Sequence, residues 1–196
     1  MSTSHKKICF GKKSFIYPVP AVLVGVLSEG KVNYTMLGNC GIMSVNPAIV
    51  YISSEKEHYL NQGVHENGCF SINIPSVAQM KQADYCGMVS GKQKDKSKVF
   101  ETCFEKTGKI PLIQECPVNL ACNVIQTIQL QNMEIFIAEV EETYVSEECL
   151  TEGKPDTGKI NPLIYAMDNQ YWELGNAVGK GFSEGKEWLQ DFNHIC

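Results

Sequence analysis

Val118-Asn119-Leu120-Ala121-Cys122-Asn123-Val124-Ile125-Gln126-Thr127-Ile128-Gln129-Leu130, continued through Gln131-Asn132 into Met133 to Val145, is the stretch on which the fold turns. Val118, Leu120, Cys122, Val124, Ile128 and Leu130 put apolar side chains at even positions, and Asn119, Asn123, Thr127 and Gln129 put polar ones at odd positions. A period of two residues means a strand with one face buried and one wet, the habit of antiparallel sheets. Gln131-Asn132 turns the chain into a second long strand, in which Glu139, Glu141 and Glu142 mark a solvated half. Two long strands joined by so short a turn form a hairpin. No alternation of strand and helix runs along the chain, which argues against a Rossmann domain.

Working outward, Ala21 to Leu27 is a short apolar run that suits a strand buried on both faces, and Ser28-Glu29-Gly30 turns it into Lys31 to Leu37. Gly25 and Gly30-Lys31 imitate part of a P-loop, but Val32 stands where Ser or Thr is required and a strand follows where a helix should start. A nucleoside triphosphate site is therefore rejected. Pro47 introduces a strand over Ala48 to Ser53, and Glu57 to Asn67 reads as a helix with an acidic first turn that ends before Gly68. Phe70 to Ile74 reads as a strand, after which Ser76-Val77-Ala78-Gln79 makes a capping box that opens a helix to about Tyr85. Residues 1–14 read as a loose arm or short edge strand, 15–186 as one domain and 187–196 as a tail. Tyr165, Tyr171 and Trp172 cluster near the end, where they either cap the sheet or mark a covered interface.

The chain has 196 residues, a net charge of −5 and seventeen basic residues that are all lysine. A nucleic-acid partner is not expected, because binders of that class present a clustered basic face. Without arginine, phosphate must be met by lysine, hydroxyls and backbone amides. Nine cysteines with no C-x-x-C pair form neither a zinc signature nor a disulfide framework, which suits small buried residues in a reducing cytoplasm. No apolar run reaches the length of a membrane span or signal peptide.

Asp84-Tyr85-Cys86-Gly87-Met88-Val89-Ser90-Gly91-Lys92-Gln93-Lys94-Asp95-Lys96-Ser97-Lys98 holds two glycines, two serines and four lysines within fifteen residues. Glycines let backbone amides approach a ligand, and the lysines supply charge for an anion. This segment resembles the signature of the flavin reductase-like, FMN-binding split-barrel proteins, above all the flavoredoxin branch. Further matches are Asn33 to Gly38, Pro47 to Ser53, Phe70 to Pro75, Glu115 to Leu120 and Asn161 to Tyr165, so the resemblance covers residues 15–186.

The resemblance implies a mainly β fold, an antiparallel split β-barrel with a few short helices, that holds FMN, often at the interface of a homodimer. By position it puts Asn33, Thr35, Leu37 and Gly38 along the isoalloxazine edge and Ser53, Ser54, Lys56 and His58 at the phosphate. Asn73 is placed near the ring, and Cys86, Gly87, Ser90, Gly91, Asp95 and Lys96 belong to the loop beside it. Leu60 stands where relatives often carry Thr, which removes a hydroxyl from the phosphate cluster. The implied activity is transfer of electrons from NAD(P)H through FMN to free flavin or another acceptor. An alternative is a flavoredoxin-type carrier fed by a ferredoxin-like donor. Haem fits less well, because no histidine stands on a strand as an axial ligand.

Overall fold

The computed structural model describes residues 5–166, 168–186 and 188. Residues 5–14 of the expected arm carry no strand or helix, residues 1–4 lie outside the described residues, and so does the tail apart from Trp188. The regular elements are β1 (Val19–Pro20), β2 (Val22–Ser28), β3 (Lys31–Leu37), β4 (Cys40–Ser44), β5 (Ile49–Glu55), α1 (Tyr59–Asn67), β6 (Cys69–Ile74) and α2 (Met80–Met88). They continue with β7 (Thr102–Phe104), β8 (Pro111–Ile113), β9 (Val118–Leu130), β10 (Met133–Val145), β11 (Leu150–Thr151), β12 (Lys154–Pro155), α3 (Thr157–Ile160), β13 (Ile164–Ala166) and β14 (Gln170–Trp172).

Seven strands form one antiparallel sheet in the order β3-β2-β6-β9-β10-β5-β4. Its two edges are consecutive in the chain and are joined by Gly38 and Asn39, so the sheet curls round an interior and stays open between them. Val22, Val24 and Val26 of β2, Leu37 of β3, Val50 and Ile52 of β5 and Phe136 of β10 meet there with Leu60 and Val64 of α1. This is a split barrel plugged by a helix. At Gly63 the helix backbone comes so near β2 that an added Cβ would stand 2.6 Å from the Leu27 carbonyl and 2.7 Å from Val26 Cγ2. Outside the barrel, Leu23 and Tyr34 pack against Ala83 and Cys86 of α2, which explains why β2 is buried on both faces.

The long hairpin forms as the pattern requires, with Leu130 opposite Met133 and Gln131 at positive φ in the turn. Two bulges, at Ile125 and Glu141, shift the faces along it, so Ala121 packs under the β7–β8 hairpin while Ile128 and Leu130 are left exposed. One alternation cannot describe a strand that is covered on both faces at one end and wet at the other. Two further expectations need correction, and one strand has no signal in the sequence. Strand β4 went unread because Cys40-Gly41-Ile42-Met43-Ser44 has neither alternation nor a fully buried face. Helix α1 starts at Tyr59 with His58 as its cap and no acidic residue in its first turn, because Lys56 to His58 are spent in the turn that leaves β5. Helix α2 runs to Met88, beyond Tyr85, behind the expected capping box of Ser76 and Gln79.

Candidate functional site

Beside the open edge strand β3 lies a depression bounded by the start of α1 and the segment that leaves α2. Side chains alternate along β3, so Tyr34 and Met36 face α2 while Asn33 and Thr35 share the face of Leu37. Asn33 Nδ2 donates to Thr35 Oγ1 at 3.3 Å. Loop 89–98 folds back on this row. The Ser90 carbonyl accepts from the amides of Gln93 and Lys94, and Lys92 Nζ donates to the Glu57 carbonyl at 2.9 Å, tying the loop to the start of α1. Gly91 lies so close to Asn33 Oδ1 and Tyr59 Cδ1 that a Cβ there would overlap both.

Three clefts meet at this place. An outer one of about 380 Å³ is lined by Asn33, Lys31, Tyr59, Lys92, Asp95 and Lys96, among others. An inner one of about 210 Å³ is lined by Thr35, Met36, His58, Tyr59, the chain from Cys86 to Gly91, and Lys96. Tyr59, Gly91 and Lys96 belong to both, so the two adjoin across these residues, and the outer one falls in the size range of small-molecule sites. A third, of about 350 Å³, joins Lys56, His58, Asn61, His65, Lys92 and Glu134 at the start of α1. Its two lysines suit an anion beside the carboxylates of Glu57 and Glu134, and Ser54 Oγ braces His58 Nδ1 at 3.0 Å.

Buried polar atoms point to what these clefts hold. Among the described residues, Asn33 Oδ1 and Asn61 Oδ1 are the buried side-chain oxygens without a hydrogen-bond partner, and each residue lines a cleft. A buried acceptor left unsatisfied costs about 1 to 3 kcal/mol, so such atoms mark places where a donor is brought in. Lys96 is 2% exposed. Its ammonium donates to the carbonyls of Cys86 at 3.1 Å and Val89 at 3.0 Å, and reaches Thr35 Oγ1 only at 3.5 Å. These bonds satisfy carbonyls at the end of α2 and explain the extra turn that Cys86 to Met88 complete.

Asn33, Thr35, Lys56, His58, Cys86, Gly87, Ser90, Gly91, Asp95 and Lys96 thus come together around the clefts, with Ser54 one bond behind them. Cys86 contributes its backbone, since its thiol packs beside Ala83 and burial pushes it up to about 11, with Lys96 pulling weakly the other way. Leu37, Gly38, Ser53 and Asn73 do not line the clefts. Leu37 is part of the barrel core, Gly38 lies against Val19, and Ser53 stands on the strand face opposite Ser54. Asn73 is fully buried and fully bonded: it donates to Leu23 O and Ser71 Oγ and accepts from Ile113 N and Asn119 Nδ2. Its amide joins β2, β6, β8 and β9. Leu60, at the position of the missing hydroxyl, is instead wholly buried in the core. Tyr59 and Lys92 were not singled out from sequence, although each neighbours a residue that was.

Comparison with known proteins agrees with this geometry. Residues 14–173 match the family described as flavin reductase like domain. A flavoredoxin from Methanosarcina acetivorans is 38% identical and superposes with a TM-score of 0.91, covering 93% of this chain and 99% of its own. The flavoredoxin of Desulfovibrio vulgaris (Miyazaki F) is 31% identical with a TM-score of 0.86, covering 92% of this chain and 100% of its own. An FMN-binding protein from Thermus thermophilus, 18% identical, shares the fold with a TM-score of 0.76 over 90% of this chain and 98% of its own.

Proposed function

The chain belongs to the flavin reductase-like family, and from that premise we propose that residues 15–186 form an FMN-dependent oxidoreductase that takes electrons from NAD(P)H and passes them to free flavin or another acceptor. The observation that carries this reading is the pair of adjoining clefts beside the open edge of β3, on whose wall Asn33 holds a buried acceptor, covered by Gly91, that nothing in the chain satisfies. Isoalloxazine offers an N–H donor, so the residues present fit the group.

When bound, FMN supplies the two-electron chemistry. The chain's own part is to bind, orient and shield. Asn33 and Thr35 fix the ring through polar atoms on one strand face, Tyr59 and the Gly87–Gly91 backbone wall it from water, and Lys56, His58 and Lys92 hold the phosphate end. Hydride transfer to a bound flavin requires no obligatory acid or base from the chain, so positioning does the work. Eight described cysteines are free thiols, in keeping with a reducing cytoplasmic setting. A homodimer is part of the same reading, supported by apolar side chains left open on β4, where Ile42 is 74% and Met43 56% exposed.

The experiment is anaerobic stopped-flow bleaching of the FMN-loaded protein by NADH and NADPH. Rapid bleaching by either supports the reductase. The likeness to two flavoredoxins supports a second reading, an electron carrier with little nicotinamide activity, and bleaching by a reduced ferredoxin-like protein alone would select it.

A further inference from the structure

We propose that the buried Lys96 ammonium is the electrostatic partner of the negative charge that the flavin ring gains on reduction, and so sets the reduction potential of the site. The proposal rests on the flavin reading above. Lys96, within loop 89–98, lines both adjoining clefts and is 2% exposed. Among the described residues no carboxylate forms an ion pair with it. Its neighbour Asp95 is exposed and spends a carboxylate oxygen on the Ser97 amide at 2.9 Å. A buried charge without a counter-ion is costly, and proteins tolerate one where a ligand supplies the opposite charge.

The bonding of the ammonium leaves room for that ligand. Two of its hydrogens go to carbonyls of the α2 end, while the third meets Thr35 Oγ1 at the limit of hydrogen-bond distance. Thr35 and Lys96 are on the wall of the inner cleft, whereas Lys56 and Lys92 are in the third cleft. The phosphate therefore has its own cations, and Lys96 is left for the ring. Burial pulls the Lys96 ammonium below the usual lysine range, with Cys86 pulling weakly the other way. A hydride from reduced nicotinamide brings two electrons and one proton, so the ring gains one net negative charge and the nicotinamide leaves oxidised. An ammonium fixed in a site of low dielectric favours that anion over its protonated form.

Two measurements on FMN-loaded protein test this. For the native chain, the midpoint potential should fall by about 30 mV per pH unit across the neutral range, the slope for one proton per two electrons. A slope of about 59 mV, meaning two protons, overturns the proposal. In Lys96→Met the reduced flavin should bind about tenfold or more weakly relative to the oxidised one, a midpoint about 30 mV or more lower, and Lys96→Arg should restore much of it. An unchanged potential, or a loss of FMN affinity with riboflavin affinity intact, would assign Lys96 to the scaffold or the phosphate and overturn it. Should Lys96→Met fail to fold, the native slope still decides. Native protein that takes up no FMN would overturn the flavin reading itself, whereas FMN-loaded protein with the two-proton slope overturns this proposal alone.

Discussion

Asn33 and Asn73 are both buried asparagines near the same strands, yet their hydrogen bonds give them opposite uses. Asn73 has every donor and acceptor filled by the chain, so its removal strands carbonyls and amides on four strands. Asn73→Ala should cost about 2 to 4 kcal/mol in chemical denaturation while FMN affinity per folded molecule stays near native. Asn33 keeps one acceptor free, and Asn33→Leu should reverse that pattern, lowering affinity more than stability. Lys56, in the third cleft, should contribute to FMN and not to riboflavin. Lys56→Ala is expected to weaken FMN binding by about 1.5 to 3 kcal/mol in a titration and leave riboflavin unchanged. At this scale the sequence was legible in which residues meet and less so in what each does. Asn73 and Cys86 have the right neighbours in the chain, but whether an amide or thiol faces a cleft depends on partners forty or more residues away, as with Ile113 and Asn119 for Asn73.

Loop 89–98 and helix α1 are the elements that make an opening in a barrel into a site. Gly91 serves mainly the contact of the loop with Asn33 and Tyr59, so Gly91→Val should push the loop off β3 and lose FMN while the barrel keeps its thermal transition, because the loop lies outside the main core. Near-native FMN affinity in a folded Gly91→Val would contradict this packing. Helix α1 is fastened to β10 by Glu134. Burial acts to raise its carboxyl, but hydrogen bonds from Gln129, His65 and Asn61 outweigh this and hold it below the usual range. A carboxyl lowered in the folded state stabilises above its unfolded pKa and loses that contribution as pH falls through its folded value. Denaturation measured from about pH 6 down to about pH 3 should therefore show the native chain converging on Glu134→Gln. The long hairpin was readable because its turn and period are local. Strand β4 and the two bulges were not, since an edge strand and a shift of face are set by what packs against them.

For the whole molecule, the order of the sheet is the central fact, because it leaves β3 an open edge at the seam, and the outer and inner clefts lie beside that edge. The fold class could be reached from hairpins and from the resemblance together, whereas the seam itself depends on strand order, which no local pattern carries. The open apolar side chains of β4 lead to a prediction of a dimer, with twice the mass of the 21.8 kDa chain in light scattering at micromolar concentration with FMN present. A monomeric mass under those conditions would remove the interface from the account. The most direct test of the seam as a flavin site is a crystal structure of the protein with FMN. The ring should lie within hydrogen-bond or water-bridged reach of Asn33 or Thr35 on one side and of the Gly87–Gly91 backbone on the other. A ring more than about 6 Å from both segments would contradict the assignment even with the fold intact.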